Sequence, residues 1–340
     1  MGNVFTFYVL TAAAAFLVAL VLMPLCIKTA KVLNIMDVPK TSVKTHSTPV
    51  PYLGGVAIYA GFASALVAIR FISHFPTGTL YQLRGLFIGS TIIFLLGLID
   101  DKYVLEYKIK FFIQLIASSV LFRYGISIKI FPNPVFNYLF STLWILAITN
   151  SINIIDVMDG LSSSASSICA VFFFLVSLPT EQIYVNFAAV AMLGALGGFL
   201  IFNYPPAQIF MGDAGSLTIG FILASLSMGA EYSGIHPVAL LAPVLILAVP
   251  LFDLLFVMVH RIRRGLSPFR GSKDHFALRM IKLGFSKRQI LLRVSATSVI
   301  LGTSAWILTA VPLAWAYIIA AAVVIVGIYL ASFLSVIDVD

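Results

Sequence analysis

The chain is poor in charged residues and in cysteine. Only 10% of its 340 residues are charged and 61% are hydrophobic, whereas a soluble globular domain carries about 25% charged residues. This balance excludes a soluble domain, because no such fold could bury so much apolar surface. Cys26 and Cys169 lie far apart in apolar segments, which favours small buried side chains over a disulfide or a metal site.

Continuous apolar runs fill most of the chain. A membrane-spanning helix needs roughly 20 apolar residues, and runs of that kind recur from Val4 to Ile337. Since they do not alternate with polar residues, they predict helices rather than barrel strands. The run 4–27 lacks a basic start and exceeds the apolar part of a signal peptide, so we expect an uncleaved first helix. The predicted fold class is all-α, a polytopic integral membrane protein.

Eleven spans are predicted within a single domain, 1–340. They lie at 4–27, 53–72, 84–99, 109–124, 136–152, 161–178, 184–202, 214–232, 237–260, 290–309 and 313–335. One long cytoplasmic loop is expected at about 261–289. The sequence contains no linker, low-complexity stretch or internal repeat that would indicate a second domain.

Loop charge predicts the orientation, because lysine and arginine concentrate in cytoplasmic loops. Most of the 21 basic residues fall in loops that follow odd-numbered spans. The opposite side holds Arg70, Arg84, Arg123 and Lys129. We therefore expect the N-terminus outside, the C-terminus inside, and the polar chemistry on the cytoplasmic face of the inner (plasma) membrane. The net charge of +8 then indicates anionic lipid and substrate rather than nucleic acid.

Asp100 and Asp101 end the third predicted span. Carboxylates at a membrane boundary are costly unless they are solvated or used, and neighbours on a helix point about 100° apart. One can act on substrate while the other binds a cation or caps a helix, although a solvated pair that stops the helix fits equally well. Lys110 and Gln114 follow one turn apart on the next helix. Lys110 can hold a phosphate or anchor the helix at the interface.

Polar residues recur at every third position before Gly160. They are Asn150, Asn153, Asp156 and Asp159. On a helix this spacing keeps them on one broad side, and Gly160 can end the turn. Four amide or carboxylate groups beside the apolar run 141–148 predict a binding site rather than packing.

Asp213 stands just before the predicted helix 214–232. Pro205 and Pro206 end the preceding span, and Gly212 and Gly215 let the backbone approach a ligand closely. Asp213 can cap the new helix. It can also bind Mg²⁺, which favours one or two carboxylates plus phosphate oxygens, and the pattern leaves both readings open.

The basic loop after the ninth span is a further candidate. Arg264 belongs to an arginine cluster that can bind phosphate or attach to anionic lipid. His275 and Arg279 lie one helical turn apart, which lipid attachment does not explain. Asp253, two turns inside the ninth span, is an intramembrane carboxylate and hence a functional candidate.

Lys44 and His46 precede the second span, beside a cluster of prolines and glycines. The prolines and glycines are Pro49, Pro51, Gly54 and Gly55. This composition predicts a rigid turn against the membrane.

In this order the motifs resemble those of the polyprenyl-phosphate N-acetylhexosamine-1-phosphate transferase family, in its undecaprenyl-phosphate GlcNAc-1-phosphate branch. The resemblance covers nearly the whole chain. The matching segments are 46–55, 100–101, 150–160, 210–216 and a reduced histidine loop at 275–279. Each motif alone is weak evidence, whereas their common order on one membrane side is strong evidence.

Two departures from the family pattern stand out. Val157 replaces a usual glycine after the first aspartate of the second motif. In the usual His-x-His-His loop only His275 remains, and Ala277 and Leu278 replace the other two histidines. The resemblance implies that phosphate binding persists there through Arg279.

The resemblance implies a Mg²⁺-dependent enzyme, with Mn²⁺ as an alternative ion. A hexosamine-1-phosphate, expected to be GlcNAc-1-phosphate, would move from a UDP-sugar to undecaprenyl phosphate with release of UMP, which starts cell-envelope glycan synthesis. Asp213 with Asn153 would hold the metal, and Asp100 or Asp101 would position or deprotonate the lipid phosphate. The substrate-binding residues would be Lys44, His46, Lys110, Asn150, Asp156, Asp159, Asp253, Arg264, His275 and Arg279.

Among these residues, Lys110 would hold the lipid phosphate. Arg279 with His275 would hold the donor diphosphate. Asp156 and Asp159 would contact the uridine end. A homodimer and the choice between direct attack and a covalent aspartyl intermediate are left open.

Two other functions compete with this interpretation. The related translocase that uses UDP-MurNAc-pentapeptide typically has ten spans and an intact triple-histidine loop. A secondary transporter would carry ionisable residues at the bilayer midplane, whereas most carboxylates here lie at inner helix ends. A scaffold or lipid-binding protein would have no use for the set Asn153, Asp156 and Asp213.

Overall fold

A computed structural model describes residues 2–38, 49–73, 75–180, 182–229, 237–267 and 274–337. Thirteen α-helices form within these ranges. They are α1 (Gly2–Val32), α2 (Gly54–Ile72), α3 (Thr77–Tyr103), α4 (Tyr107–Arg123), α5 (Pro134–Ile155), α6 (Leu161–Ser177), α7 (Ile183–Asn203), α8 (Gly212–Gly229), α9 (Ala242–Ile246), α10 (Ala248–Arg263), α11 (Phe276–Lys282), α12 (Lys287–Leu308) and α13 (Leu313–Ser335). Short 3-10 helices lie at Leu178–Thr180 and Pro237–Leu241.

The all-α, polytopic prediction is confirmed. Eight helices in the described ranges are long and apolar enough to cross a membrane, and a bent pair would add a ninth. α4 and α8 occupy the places of two further predicted spans, but α4 has only 17 residues and α8 carries Asp213 in its first turn. The total of eleven therefore stays a prediction.

The predicted straight helix 237–260 is wrong. The chain bends by 76° between Val238–Ile246 and Ala248–Arg263. Pro250 has no N–H for the carbonyl of residue 246, so that helical hydrogen bond is missing and the helix is weakened there. The proline instead lies in the first turn of α10, where a missing N–H costs nothing.

The two best-buried helices lie at the centre of the bundle. α7 packs on α1, α2 and α6, and α8 packs mainly on α3 and α5. Side chains of α8 are buried continuously from Ala214 to Ser227. On α13, by contrast, the buried side chains are Ala316 and Leu334, as suits a helix that faces lipid.

Gly97 marks the closest approach of α3 to α8. A Cβ built on it would lie 2.4 Å from the Asp213 carbonyl oxygen and 2.5 Å from the Ala214 Cα. Small residues allow such backbone contact between membrane helices. Here the contact brings the end of α3, with its two aspartates, against the start of α8.

We predict that Gly97→Ala lowers the unfolding temperature in detergent. The added methyl group must displace backbone, and overpacking of this kind costs about 1–3 kcal/mol. Gly78→Ala in the same helix is the matched control, because a Cβ there meets nothing within 4 Å. Equal melting of the two variants would contradict the close approach.

The described part of the proline- and glycine-rich segment forms a short strand and the start of α2, and the predicted rigid turn stays a prediction. Strand β1 (Met36–Asp37) pairs antiparallel with β2 (Val50–Pro51). The N–H groups of Gly54 and Gly55 donate to the carbonyls of Phe210 and Met211, both at 2.9 Å. These two hydrogen bonds attach the segment before α8 to the start of α2. Lys44 and His46 lie outside the described residues.

Candidate active site

A cavity of about 430 Å³ lies where α3 and α5 end and α8 begins. We call it the acidic cavity, since six aspartates line it. They are Asp37, Asp100, Asp101, Asp156, Asp159 and Asp213. Within the part of the chain that the structure describes, Lys110 is its one basic lining residue. The structure thus brings together the residues of three separate motifs.

Lys110 joins two of these carboxylates. Its Nζ forms an ion pair with Oδ2 of Asp100 and lies 3.1 Å from Oδ2 of Asp213. The other oxygen of Asp100 accepts the Leu105 N–H at 2.6 Å. Asp100 is only 4% exposed, and a buried carboxylate is tolerated only when paired in this way. Lys110 therefore pairs with two carboxylates at the cavity, and its predicted binding of phosphate stays a prediction.

Asp101 has a different role from its neighbour. Its Oδ1 accepts the Asp213 N–H at 2.7 Å and its Oδ2 accepts the Ala214 N–H at 3.1 Å. A carboxylate on the unpaired N–H groups of a helix start is favourable. Of the alternatives that the sequence left open for the pair, Asp101 takes the helix cap, and it caps α8.

The carboxylate of Asp213 is consequently available to the cavity. Its Oδ1 accepts the Asn153 amide at 2.8 Å, and that amide also donates to Ser216 Oγ at 2.9 Å. Asp101 supplies the cap of α8, which was one of the two roles that the sequence left open for Asp213. The predicted pairing of Asp213 with Asn153 is present in the geometry.

Asp156 ends α5 and faces the same cavity. Burial, aided by the negative charges of Asp213, Asp101 and Asp159, raises the pKa of Asp156 to about 8. The side chain is therefore largely protonated at neutral pH in the absence of a cation. It can then donate as well as accept a hydrogen bond.

We predict that Asp156→Asn is more stabilising at high pH than at low pH. Because the folded-state pKa is raised, the stability of the unsubstituted protein falls as pH rises from the unfolded-state pKa to about 8. Asparagine mimics the protonated form and removes this fall. Melting in detergent at about pH 5, 7 and 9 should show a widening gap that levels off above the folded-state pKa. Glu106→Gln, at an exposed carboxylate, is the control, and a gap independent of pH would refute the prediction.

Two donors form hydrogen bonds with the same carboxylate oxygen of Asp159. Its Oδ2 accepts from Lys287 Nζ at 3.1 Å and from the Ala207 N–H at 3.3 Å. The adjacent Gly160 donates to Asn203 Oδ1 at 2.9 Å. These contacts fix the end of the 150–160 motif against the segment between α7 and α8.

A second cavity, of about 480 Å³, adjoins the first. Lys110, Asn153 and Val157 line both cavities. We call the second one the apolar cavity, because most of the remaining lining is hydrophobic. That lining comprises Tyr107, Phe111, Leu146, Ala147, Ile154, Leu254 and Met258, together with Asn150, Arg261 and His275.

Polar contacts orient the side chains at the apolar cavity. His275 Nδ1 lies 2.9 Å from Asp253 Oδ2, and the Phe276 N–H donates to Asp253 Oδ1 at 3.1 Å. Asp253 is fully buried, so it holds His275 and the start of α11 rather than contacting substrate. Asn150 lies at this cavity and donates to Gln114 at 2.9 Å.

The structure does not place Arg279 at either cavity, where the sequence had assigned it to the donor diphosphate. Arg279 is 1% exposed and lines neither cavity. Its guanidinium donates to the carbonyls of Leu334, Ser335 and Ile337 at the end of α13 and to Asp274. Arg264 also lies outside both linings and pairs with Asp274 at 3.4 Å.

Sequence reasoning missed Asp37, Arg261 and Lys287. Arg261 belonged to the arginine cluster for which phosphate binding and attachment to anionic lipid were both left open, and it is 4% exposed and lines the apolar cavity. Asp37 belongs to none of the motifs named in the sequence analysis. Lys287 begins α12 behind a Ser286–Gln289 capping box, a signal that predicts where the helix starts but not its contact with Asp159.

Fold and site together define a class: a helical membrane protein in which an acidic cavity meets an apolar one beside a lysine. The chain belongs to glycosyl transferase family 4, whose model matches residues 83–231. The probable undecaprenyl-phosphate N-acetylglucosaminyl 1-phosphate transferase of Bacillus subtilis (strain 168) is 31% identical over 301 residues, 86% of this chain and 82% of that protein.

Two further relatives agree with this assignment. The decaprenyl-phosphate N-acetylglucosaminephosphotransferase of Mycobacterium tuberculosis (strain ATCC 25618 / H37Rv) is 32% identical over 73% of this chain and 69% of its own length. The undecaprenyl-phosphate alpha-N-acetylglucosaminyl 1-phosphate transferase of Escherichia coli (strain K12) is 25% identical over 81% and 77%. The predicted family is confirmed, and the chain is a multi-pass membrane protein.

Proposed function

We propose that this protein transfers N-acetylglucosamine-1-phosphate from UDP-N-acetylglucosamine to undecaprenyl phosphate and releases UMP. The relatives are named as transferases that act with undecaprenyl or decaprenyl phosphate. The observation that carries the proposal is the meeting of two unlike cavities at Lys110 and Asn153. A nucleotide and a lipid need opposite surroundings, yet their phosphates must meet at one point.

The acidic cavity is the proposed donor site. Its carboxylates suit the hydroxyl and N–H groups of a sugar nucleotide, and Asp159 and the protonated Asp156 lie at the end assigned to uridine. The same carboxylates would repel the diphosphate of the donor. Lys110, the one basic residue of the described lining, already pairs with Asp100 and Asp213, so binding of this anion requires a further cation.

Mg²⁺ is the proposed cation. Among the described residues no group of three or more His, Cys, Asp or Glu side chains is placed to hold a metal ion alone. Mg²⁺ needs no such cage, because it is held by one or two carboxylates together with substrate phosphates. Asp213 with Asn153 fits that requirement, with Mn²⁺ as the alternative ion. The bound ion would neutralise charge that develops on the diphosphate.

The apolar cavity is the proposed acceptor site. Its hydrophobic lining suits the first isoprene units of the lipid. Arg261 and His275, with Lys110 at the junction, suit the lipid phosphate, since Arg pairs with phosphate bidentately. Asp253 holds one ring nitrogen of His275 and so fixes the direction in which the ring presents the other.

At the junction an oxygen of the lipid phosphate would attack the sugar-bearing phosphorus of the donor. The bond from that phosphorus to the bridging oxygen would break, and UMP would leave with its electron pair. Lys110 would bring the two anionic groups together, and Asp100 would hold Lys110 in place. Positioning and charge stabilisation supply most of the catalysis in phosphoryl transfer.

The proposed setting is the cytoplasmic face of the inner membrane, with eleven spans and the N-terminus outside. Loop charge supports this orientation. Single cysteines placed at Lys129 and at Lys108, on opposite sides in this topology, provide the test. A membrane-impermeant thiol reagent added to intact cells should label the first and not the second.

UMP release tests the function directly. Purified protein receives undecaprenyl phosphate, Mg²⁺ and, in turn, UDP-GlcNAc, UDP-GalNAc and UDP-MurNAc-pentapeptide. Release with UDP-GlcNAc alone, abolished by EDTA, is the expected result. Release only with the pentapeptide donor would support the translocase reading. Substrate flux without UMP release would support a transporter.

A further inference from the structure

Asp159 presents an asymmetric carboxylate. Its Oδ2 is held by Lys287 and by the Ala207 N–H. Its Oδ1 is buried and has no hydrogen-bond partner, while the residue, 5% exposed, lines the acidic cavity. A buried acceptor without a partner is costly. The geometry therefore points to a ligand N–H or O–H group at Oδ1.

Lys287 lies on the far side of that carboxylate. It is the first residue of α12, which the Ser286–Gln289 capping box fixes. It does not line either cavity. The next residue, Arg288, donates to the Pro205 carbonyl at 3.3 Å, which attaches the start of α12 to the segment that carries Ala207. The capping box and the contact of Arg288 with the Pro205 carbonyl together fix the position of Lys287.

We propose that Lys287 is a positioning residue for the donor. This role rests on the proposed function, and Lys287 performs it by binding one oxygen of Asp159. The ammonium occupies Oδ2 and leaves Oδ1 as a fixed acceptor for an N–H or O–H group of the sugar nucleotide. Lys287 acts on the donor through Asp159 and does not contact it.

Steady-state UMP release with UDP-GlcNAc tests the proposal. Lys287→Met should raise the KM for UDP-GlcNAc about tenfold, since a hydrogen bond to a charged group is worth about that factor. The kcat and the KM for undecaprenyl phosphate should change by less than about twofold. Lys287→Arg should restore the donor KM. The matched control is Lys282→Met, at an exposed lysine on α11.

A double-variant cycle separates positioning from direct contact. If Lys287 acts through Asp159, Lys287→Met should add nothing to the donor KM of Asp159→Asn. Additive effects would overturn the proposal and indicate direct contact of Lys287 with the donor. Equal KM values for Lys287→Met and Lys282→Met would overturn it as well.

Folding and function are kept apart in the same experiment. If Lys287→Met lowers the melting temperature too far for assay, the double variant with Asp159→Asn removes both charges and should recover folding. In that case Lys287→Gln replaces Lys287→Met in the cycle, Lys287→Arg stays the conservative variant, and the donor KM is measured as before. A wild-type protein that releases no UMP would refute the proposed function, whereas an active wild type with an unaffected Lys287→Met variant would refute only the role of Lys287.

Discussion

Replacing Asp213 by asparagine is expected to lower UMP release about a thousandfold. Asparagine keeps the size of the side chain but removes the charge that Lys110 and the Asn153 amide contact at 3.1 and 2.8 Å. In the proposed site the same charge holds Mg²⁺. The cap of α8 is independent of this side chain, because Asp101 provides it. We therefore expect the variant to remain folded.

The dependence on Mg²⁺ distinguishes loss of a metal ligand from a general defect. The concentration of Mg²⁺ that gives half-maximal rate should rise in Asp213→Asn, and the melting temperature in detergent should stay close to that of the unsubstituted protein. Glu106→Gln, which removes an exposed carboxylate, should alter neither quantity. Full turnover of Asp213→Asn with an unchanged Mg²⁺ requirement would exclude Asp213 as the ligand.

Asp101 provides an informative comparison within the same cavity. Asp101→Ala removes the acceptor for two N–H groups at the start of α8, and loss of such a cap costs about 1 kcal/mol. Its melting temperature should fall, whereas that of Asp213→Asn should not. A reversed order of the two melting temperatures would exchange the structural roles of these aspartates.

The sequence predicted that Asp100, Asn153 and Asp213 would gather, because their motifs stand at the ends of predicted helices on one predicted side of the membrane. Asp100, Lys110, Asn153 and Asp213 meet for that reason. Periodicity could not decide which of Asp100 and Asp101 caps a helix. That choice depends on the close packing of α3 against α8, and nothing local to the pair encodes it.

Hydropathy likewise could not reveal the bend before α10. The run 237–260 is apolar apart from Asp253 and His260, so its hydropathy predicts one helix, and its prolines are the local hints of a break. The bend matters for the site, because α10 contributes Leu254, Met258 and Arg261 to the apolar cavity.

Sequence reasoning assigned Arg279 to the donor and missed Lys287 for a related reason. Both lie in the predicted loop 261–289, and an arginine one turn after His275 is the more natural phosphate ligand. The direction in which Arg279 points is fixed by the rotation of α11, which has only seven residues. Its partners lie at the end of α13, far away in sequence.

Arg279→Met is expected to destabilise the C-terminal part of the protein strongly. Removing the guanidinium takes away a hydrogen-bond donor from the carbonyls of Leu334 and Ser335 and from the buried carboxylate of Asp274. Breaking a buried, hydrogen-bonded charge in this way costs about 3–5 kcal/mol. It also loses contact with the Phe256 ring, which lies 5.1 Å from the guanidinium carbon.

Loss of the Arg279 contacts should also disturb the acceptor site, because α11 carries both Arg279 and the residues next to His275. Arg279 and His275 share one helical turn, and the Arg279 N–H donates to the His275 carbonyl at 3.2 Å. When α11 loses its attachment to α13, His275 should move and the KM for undecaprenyl phosphate should rise more than the KM for UDP-GlcNAc. Hydrogen exchange of the α13 end and melting in detergent measure the loss, with Arg263→Met at an exposed arginine as the control. A normal melting temperature with a raised KM for UDP-GlcNAc would instead return Arg279 to the donor diphosphate. The two kinetic constants and the melting temperature together therefore decide whether this arginine is a structural element or a ligand of the substrate.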